Sequence, residues 1–491
     1  MGVRIPSVTK ITFLVLGIFV FSLAQAQNSQ AQTPKGSRSV PAGGGDVYLT
    51  AEEWLELNPP PASASTPAAK KAATEPSADL TDPEIQKELE KAVDAFNASQ
   101  FAVTLDVLKS LFAKHPEIVP PRIVLAQWFA RSNLGTAVRT NLEMGTEEVP
   151  ADPEAFLLLA EISLKEGGLT AAEALLTQAA AKLKAYNANP TRKQNLSSSL
   201  RRVTTDLYEA RERWPRMEES INQQIEADGT TAELLRKKGV AIFQQKKDAD
   251  AKKVFVEADR LEANLESKGL PADAVMSQLY VLRGDRESAR KSLEAALAAN
   301  PASREVLILS IQMRINDDKL EEAKPLAEKL MKDNPALPSA RELLATVALY
   351  LEDYSAAEKL FEELLLASPM ETKHANGLAL ALCEQDSLEK MQRALAYAVE
   401  NVRKDQNNSE YLGTLGWVLY KADQLDQAAD ALKQSAASGQ INAATAYYFA
   451  RLAVKTGKSE EAKLLLNAAL SGGSQFAKRR DAVKLLDELS K

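Results

Sequence analysis

The sequence contains 491 residues, with 60 basic and 67 acidic side chains and a formal net charge of −7 at pH 7. A mildly acidic chain is a poor nucleic-acid binder, because binding to phosphates requires clustered lysine and arginine. The single cysteine excludes an internal disulfide. We therefore expect no nucleic-acid partner and no internal disulfide.

Residues 1–26 have the layout of a secretory signal peptide. Arg4 and Lys10 precede the apolar run ITFLVLGIFVFSLA, and small residues follow at Ala24-Gln25-Ala26. The apolar run is shorter than the about 20 residues that cross a membrane as a helix. We expect cleavage between Ala26 and Gln27, and an exported bacterial protein that is periplasmic or secreted. The alternative is an uncleaved signal, the one case in which we expect contact with a membrane.

Residues 27–81 predict a disordered linker, because they are rich in Pro, Ala, Ser and Gly and lack periodicity. The stretch DVYLTAEEWLELNPP within it differs, since Thr50 and Glu53 form a capping-box signature that predicts a short helix at 50–57. Its apolar edge consists of Trp54, Leu55 and Leu57. So short a helix is marginal alone. It is either a leftover helical turn or a docking motif for the chain's own groove or a partner.

From residue 82 onwards the sequence repeats with a period of 34 residues. Pro301, Pro335 and Pro369 follow that period, and an alanine precedes each of them at a constant distance. These alanines are Ala289, Ala323 and Ala357. Each unit has two apolar runs of helical spacing with a turn between them, such as the one at Gly284, where glycine accepts a left-handed helix cap. Neither helix buries its apolar face alone, so the pattern predicts an all-α fold of stacked helix–turn–helix units.

The register predicts about eleven units between residues 82 and 491. The regular units lie near 85–118, 119–152, 153–186, 232–269, 270–303, 304–337, 338–371, 372–408, 409–442 and 443–476. Residues 187–231 still predict two helices, broken at Trp214–Pro215, but form a degenerate unit. The last segment, QFAKRRDAVKLLDELSK, predicts an amphipathic capping helix with a charged outer face that includes Lys478, Arg479 and Arg480.

The pattern within a unit resembles that of the tetratricopeptide repeat family, which places small residues among large apolar ones on both helices and a proline after the second. In residues 409–440 the matching positions are Leu412, Leu415, Gly416, Leu419, Leu425, Ala428 and Leu432. In residues 338–371 they are Leu344, Ala345, Tyr354, Ala357, Phe361, Leu364 and Pro369. The resemblance implies a right-handed superhelical solenoid. We expect the small residues Ala357 and Gly416 where two helices cross closely.

The common catalytic motifs are missing from the sequence. Neither H-E-x-x-H nor G-x-S-x-G occurs, and Gly457-Lys458-Ser459 falls on an interhelix turn without the upstream glycine of a phosphate-binding loop. We interpret His115 and His374 as solvated or helix-capping residues. We interpret Cys383 as a small buried hydrophobe, with an intermolecular disulfide as the alternative. We therefore predict no enzymatic activity, no cofactor, no metal and no small-molecule substrate.

Binding is the function that the repeat pattern favours. The resemblance implies that the first helices of the units form a concave inner face for peptides or partner helices. The predicted partner-binding residues are Trp417, Tyr420, Lys421, Tyr447 and Arg451. Tryptophan, tyrosine and arginine dominate binding energy at interfaces, but the alternative is that these rings pack between neighbouring units. The motif at residues 46–58 is a candidate occupant of the same groove.

We interpret the chain as an exported, non-catalytic scaffold that binds a protein or peptide, in cell-envelope assembly. The alternative is an accessory subunit that docks an envelope enzyme or a polysaccharide-export machine. Pull-down of partners from envelope extracts separates the two interpretations.

Overall fold

The computed structural model describes most of the chain after its N-terminal region. The described residues are 83–132, 134–263, 269–437, 441–471 and 475–490. The predicted cleavage site at Ala26 and Gln27 lies outside them, as does the predicted docking motif of Trp54, Leu55 and Leu57. Every regular element in the described residues is an α-helix, which confirms the all-α prediction.

The helices fall into two units, one ending at Ser267 and the other beginning at Lys268. Successive helices of the first unit pack on one another in pairs. They are α1 (Pro83–Asn97), α2 (Phe101–Lys114), α3 (Pro121–Arg131), α4 (Gly135–Glu148), α5 (Glu154–Lys165), α6 (Leu169–Ala185), α7 (Pro190–Ala210), α8 (Trp214–Asp228), α9 (Ala232–Gln244) and α10 (Asp248–Glu262).

The second unit continues the same plan. Its paired helices are α11 (Ala272–Arg283), α12 (Arg286–Ala299), α13 (Arg304–Asn316), α14 (Leu320–Asp333), α15 (Pro338–Tyr350), α16 (Tyr354–Ala367), α17 (Thr372–Cys383), α18 (Leu388–Lys404), α19 (Ser409–Lys421), α20 (Leu425–Ala437), α21 (Ala443–Lys455) and α22 (Ser459–Ser471). A further helix, α23 (Arg479–Leu489), packs on α22. It buries Ala482 and Leu485, as a capping helix does.

Left-handed residues join the two helices of most described pairs. Gly284 has a φ of 84° after α11, which confirms the predicted glycine cap. Equivalent turns use Lys246 and Glu352, each with a φ of 63°. A left-handed conformation costs a non-glycine residue about 1–2 kcal/mol. Packing of the helix pair therefore sets these turns even where the sequence supplies no glycine.

Small residues mark the close helix crossings. Ala289, Ala323 and Ala357 are each 0% exposed. A Cβ atom added to Gly416 would lie 2.6 Å from Cγ of Leu432, which is too close for two carbon atoms. The prediction that Ala357 and Gly416 lie at close crossings is therefore confirmed.

The segment predicted as a degenerate unit contains α7 and α8. Helix α7 buries Leu196, Val203 and Leu207, and ion pairs anchor its first turn. The guanidinium of Arg192 donates to Asp152 Oδ2 and to Glu154 Oε2, at 2.6 Å in each case. It also donates to the hydroxyl of Tyr186 at 2.9 Å. Asp152 and Glu154 precede and begin α5, so this buried network ties α7 to the pair before it.

Residues 475–481, which we name the C-terminal strap, contact distant parts of the second unit. Gln475 Nε2 donates to the carbonyl oxygen of Asn316 at 3.2 Å, and Arg480 Nη1 donates to Glu321 at 2.8 Å. Lys478 Nζ lies 3.1 Å from Glu384 and also donates to the hydroxyl of Tyr354. Lys478 and Arg480, of the charged face predicted for the capping helix, therefore also bind carboxylates of other helix pairs.

Candidate functional site

The structure brings the predicted aromatic residues of α19 and α21 together. The ring of Trp417 stacks on that of Tyr420, with centroids 5.1 Å apart, and on that of Tyr448 at 4.7 Å. Its distance to the ring of Tyr447 is 5.6 Å. However, Trp417 is only 3% exposed and Tyr447 only 1% exposed. These two rings therefore form part of the core of the second unit rather than an open surface.

The polar atoms of the predicted site also bind within the chain. Trp417 Nε1 donates to Glu384 Oε1 at 2.8 Å, and Lys421 Nζ donates to Glu384 Oε2 at 3.1 Å. The Tyr447 hydroxyl and Arg451 Nη1 both donate to Asp481 Oδ2, Arg451 at 3.5 Å.

This geometry is the one expected if the rings pack between neighbouring units. Burial and the neighbouring Asp481 carboxylate raise the pKa of the Tyr447 hydroxyl well above its ordinary value, so it stays protonated as a donor. Contact of a partner with Tyr420, Lys421 or Arg451 stays a prediction.

A groove of about 670 Å³ lies beside this cluster, along the first helices of four successive pairs, α15, α17, α19 and α21. Stacking of equal repeats places equivalent positions in rows. One row along the groove consists of Glu342, Asn376 and Glu410, and a second of Thr346, Leu380, Thr414 and Tyr448. The strap closes one side with Gln475, Phe476 and Ala477.

Two polar side chains of α17 connect the first row. His374 Nε2 lies 2.8 Å from Glu342 Oε1, and Asn376 Nδ2 donates to Glu410 Oε1 at 3.2 Å. Lys373 Nζ lies 3.0 Å from the same Glu342 oxygen. Burial alone would raise the pKa of Glu342, but the hydrogen bonds from His374 and Lys373 lower it below its ordinary value. The Glu342 carboxylate is therefore ionised at neutral pH.

The groove contains two buried hydrogen-bond acceptors that the described residues leave without a donor. His374 and Asn376 are each 4% exposed, and neither His374 Nδ1 nor Asn376 Oδ1 has a partner. Because Nε2 of His374 faces a carboxylate, we assign the proton of the neutral ring to Nε2, and in that tautomer Nδ1 is an acceptor. A buried acceptor without a donor costs about 1–3 kcal/mol. A ligand that donates hydrogen bonds here would remove that cost.

His374 corrects an expectation from the sequence. We expected a solvated or helix-capping residue, but its ring is buried in the groove wall beside Glu342. His115 provides the C-cap of α2 through its backbone N–H. The row of Glu342, Asn376 and Glu410 was recognisable in the sequence, because these residues are equally spaced and therefore occupy the same position of successive repeats.

Cys383 lies at the end of α17 and is 1% exposed, which confirms the predicted buried position. Burial raises the pKa of its thiol well above the ordinary value, so the sulfur stays protonated and unreactive. Within the described ranges, no group of three or more His, Cys, Asp or Glu side chains is arranged to hold a metal ion. None of the helices described from Pro83 onwards has the length and apolar character of a membrane span.

Comparison with known proteins supports the repeat assignment. Residues 342–409 match the sequence model of the tetratricopeptide repeat family. This segment runs from α15 to the start of α19 and includes His374 and Asn376. Comparison with curated protein sequences gives no match.

Several solved structures are similar to the chain. A tetratricopeptide repeat protein from Parabacteroides merdae is 14% identical over 53% of this chain and 99% of its own, with a TM-score of 0.43. A thermophilic TPR protein from Thermus thermophilus is 20% identical over 38% of this chain and 98% of its own, with a TM-score of 0.33. Yeast Tom70 is 12% identical over 83% of this chain and 96% of its own, with a TM-score of 0.33. At these identities and TM-scores, the functions of these proteins cannot be assigned to this chain.

The family match and the architecture agree with each other. The matched residues 342–409 cover most of two helix pairs, and most of the other described pairs have a buried alanine on the second helix and a left-handed residue in the turn. Residues 342–409 therefore contain tetratricopeptide repeats, and the other described helix pairs have the same helix–turn–helix architecture.

Proposed function

We propose that this chain is an exported, non-catalytic scaffold that binds an extended protein segment in the groove of the second unit, in cell-envelope assembly. Tetratricopeptide repeat proteins generally bind protein or peptide partners. The observation that supports a peptide in this groove is the pair of buried acceptors without donors, His374 Nδ1 and Asn376 Oδ1. An extended peptide supplies N–H donors along its backbone. Its apolar side chains fit the walls provided by Phe361 and Leu380.

A selection of random dodecapeptides displayed on phage tests this proposal with the full chain. We expect peptides with micromolar dissociation constants, and we expect Asn376→Leu to weaken them roughly tenfold, because a buried hydrogen bond is worth about 1 kcal/mol or slightly more. Asn401→Leu is the matched control. Asn401 is also buried, at 1% exposed, with an Oδ1 atom that has no partner, but it lies on α18 and does not line the groove.

Circular dichroism first establishes that both variants fold like the parent chain. Unchanged binding to Asn376→Leu would contradict the groove assignment, as would an equal loss in both variants, which is the signature of a general packing defect. Loss of binding in Asn376→Leu alone supports it.

Export rests on the N-terminal sequence. We expect the protein isolated from its native host to begin at Gln27, because small residues at Ala24 and Ala26 follow the charged start and the apolar run. Intact-mass spectrometry measures this directly. The mass of the complete chain of 491 residues would contradict cleavage.

A further inference from the structure

We infer that the groove of the second unit selects a cationic segment, whose arginine or lysine side chain binds between Asn376 and Glu410. The inference names the partner class for the proposed peptide-binding function and rests on it.

The charges that line the groove are unequal. Glu342 and Glu410 both line it, whereas its lysine, Lys373, is already paired with Glu342 at 3.0 Å. Glu410 accepts one side-chain hydrogen bond, from the neutral amide of Asn376. No cation of the described residues pairs with Glu410, so its negative charge is uncompensated at the edge of the groove.

The buried hydrogen-bonding atoms that remain available in the groove are all acceptors. Asn376 uses its Nδ2 atom on Glu410, which leaves Oδ1 as a buried acceptor, and His374 Nδ1 is a second buried acceptor. The Glu410 carboxylate adds further lone pairs. A guanidinium carries five donors and no acceptor, and an ammonium carries three donors. Such a group can therefore donate to the Glu410 carboxylate and to the neighbouring Asn376 amide oxygen without leaving an acceptor of its own unpaired.

The apolar walls suit the stem of such a side chain. Tyr350 and Leu380 line the groove together with Asn376, and long cationic side chains bury their methylene groups along such surfaces. Burial and the Glu410 carboxylate raise the pKa of the Tyr350 hydroxyl above its ordinary value. The negative potential of Glu410 therefore extends to the wall that the stem would contact.

The same charge argument disfavours the chain's own predicted docking motif as the occupant. Residues 46–58, which lie outside the described residues, contain Asp46, Glu52, Glu53 and Glu56 and no basic side chain. Like charges would oppose its binding beside Glu410.

Binding of three fluorescein-labelled octapeptides to the full chain, measured by fluorescence anisotropy, tests the inference. Their sequences are four repeats of Ala-Arg, of Ala-Gln and of Ala-Glu. We expect the arginine peptide to bind at least tenfold more tightly than the glutamine peptide, and more weakly as salt rises. Glu410→Gln should remove that preference and leave binding of the glutamine peptide unchanged. The control Glu389→Gln removes an exposed carboxylate of α18 outside the groove and should keep the preference.

The outcomes separate the inference from the proposed function. The inference of a cationic partner would be contradicted if the three peptides bind equally or if the glutamate peptide binds most tightly. It would also be contradicted if Glu410→Gln and Glu389→Gln reduce the preference for the arginine peptide equally. In each case the proposed function would stand if the phage-selected peptides still depend on Asn376. Failure of all three peptides also overturns the inference, because the required donor is present in the arginine peptide. Failure of the phage selection as well would overturn the proposed function itself.

Discussion

Replacement of Arg192 by methionine is expected to destabilise the first unit by about 3–5 kcal/mol, because removal of one partner leaves buried charges uncompensated. The Arg192 side chain is 11% exposed, and its partners Asp152 and Glu154 are 6% and 13% exposed. Water therefore cannot replace the lost guanidinium at little cost. The free energy of unfolding, measured with guanidinium chloride and circular dichroism on the full chain, gives the effect.

An exposed ion pair of the same unit is the matched control. Arg202 lies 3.2 Å from Glu161, but its side chain is 49% exposed, so Arg202→Met should cost at most about 1 kcal/mol. The triple variant Arg192→Met, Asp152→Asn, Glu154→Gln should recover most of the loss, since no buried charge remains. Equal effects of the two arginine substitutions would show that the Arg192 network contributes no more than a surface pair.

The destabilisation caused by Arg192→Met should become smaller as the pH is lowered. Burial raises the pKa of Glu154, and the ion pair with Arg192 opposes that rise. In the variant, burial and the neighbouring Asp152 carboxylate still raise the pKa of Glu154, and only the hydrogen bond from Gln127 still lowers it. The pKa of Glu154 in the folded state should therefore lie above its value in the unfolded state. Such a carboxyl binds its proton more tightly when folded, and stability increases as pH falls through the folded pKa. Relative to the parent chain, the loss should therefore be smaller at pH 5 than at pH 7.5.

Truncation of Phe255 to alanine should cost about 3–5 kcal/mol, the range for a fully buried phenylalanine. Phe255 lies on α10 and is 0% exposed. Its ring occupies the place where Gly239 of α9 lacks a side chain, since a Cβ atom at Gly239 would lie 2.5 Å from Phe255 Cε1. Denaturant unfolding of the full chain measures the loss.

A second substitution, Gly239→Ala, tests this packing specifically, because its effect on stability should have opposite signs in the parent chain and in the Phe255→Ala variant. Gly239→Ala should destabilise the parent chain, because the new methyl group overlaps the Phe255 ring. In the Phe255→Ala background the same change should stabilise, because it fills part of the cavity and alanine favours a helix by about 1 kcal/mol over glycine. Gly135→Ala, with no atom within 4 Å of the added Cβ, should not destabilise either background. A Gly239→Ala effect of the same sign in both backgrounds would contradict the packing described.

The fold was predictable because the features that build it recur with the period of the chain. Ala289, Ala323 and Ala357 identified the close crossings, and Gly284 identified the turn within a pair. Other turns were harder to predict from the sequence, because Lys246 and Glu352 adopt the left-handed conformation that is usually adopted by glycine. Packing of each pair overrides that local preference, so glycine spacing alone does not locate every turn.

The site was less predictable, because its partners come from positions that carry no family signature. The period placed Trp417 and Tyr447 on the first helices of adjacent units, as found. Their buried polar atoms bind to Glu384, in the turn after α17, and to Asp481, at the end of the strap. Nothing in the repeat pattern indicates that the strap folds back over these helices. Asn376 was not predicted as a site residue for a different reason. A single polar residue on a helix is usually interpreted as solvent-exposed.

The strap changes the folding kinetics that a tandem array would otherwise have. In a linear array each repeat contacts only its neighbours, so folding can begin anywhere and spread. Here Gln475 bonds to Asn316 across 159 residues of sequence, and Lys478 bonds to Tyr354 across 124. Closing loops of that length lowers the chain entropy, and folding rates fall as the sequence separation of contacts rises. Completion of the groove wall at Phe476 must therefore await the intervening helices, which makes it a late and slow step in folding.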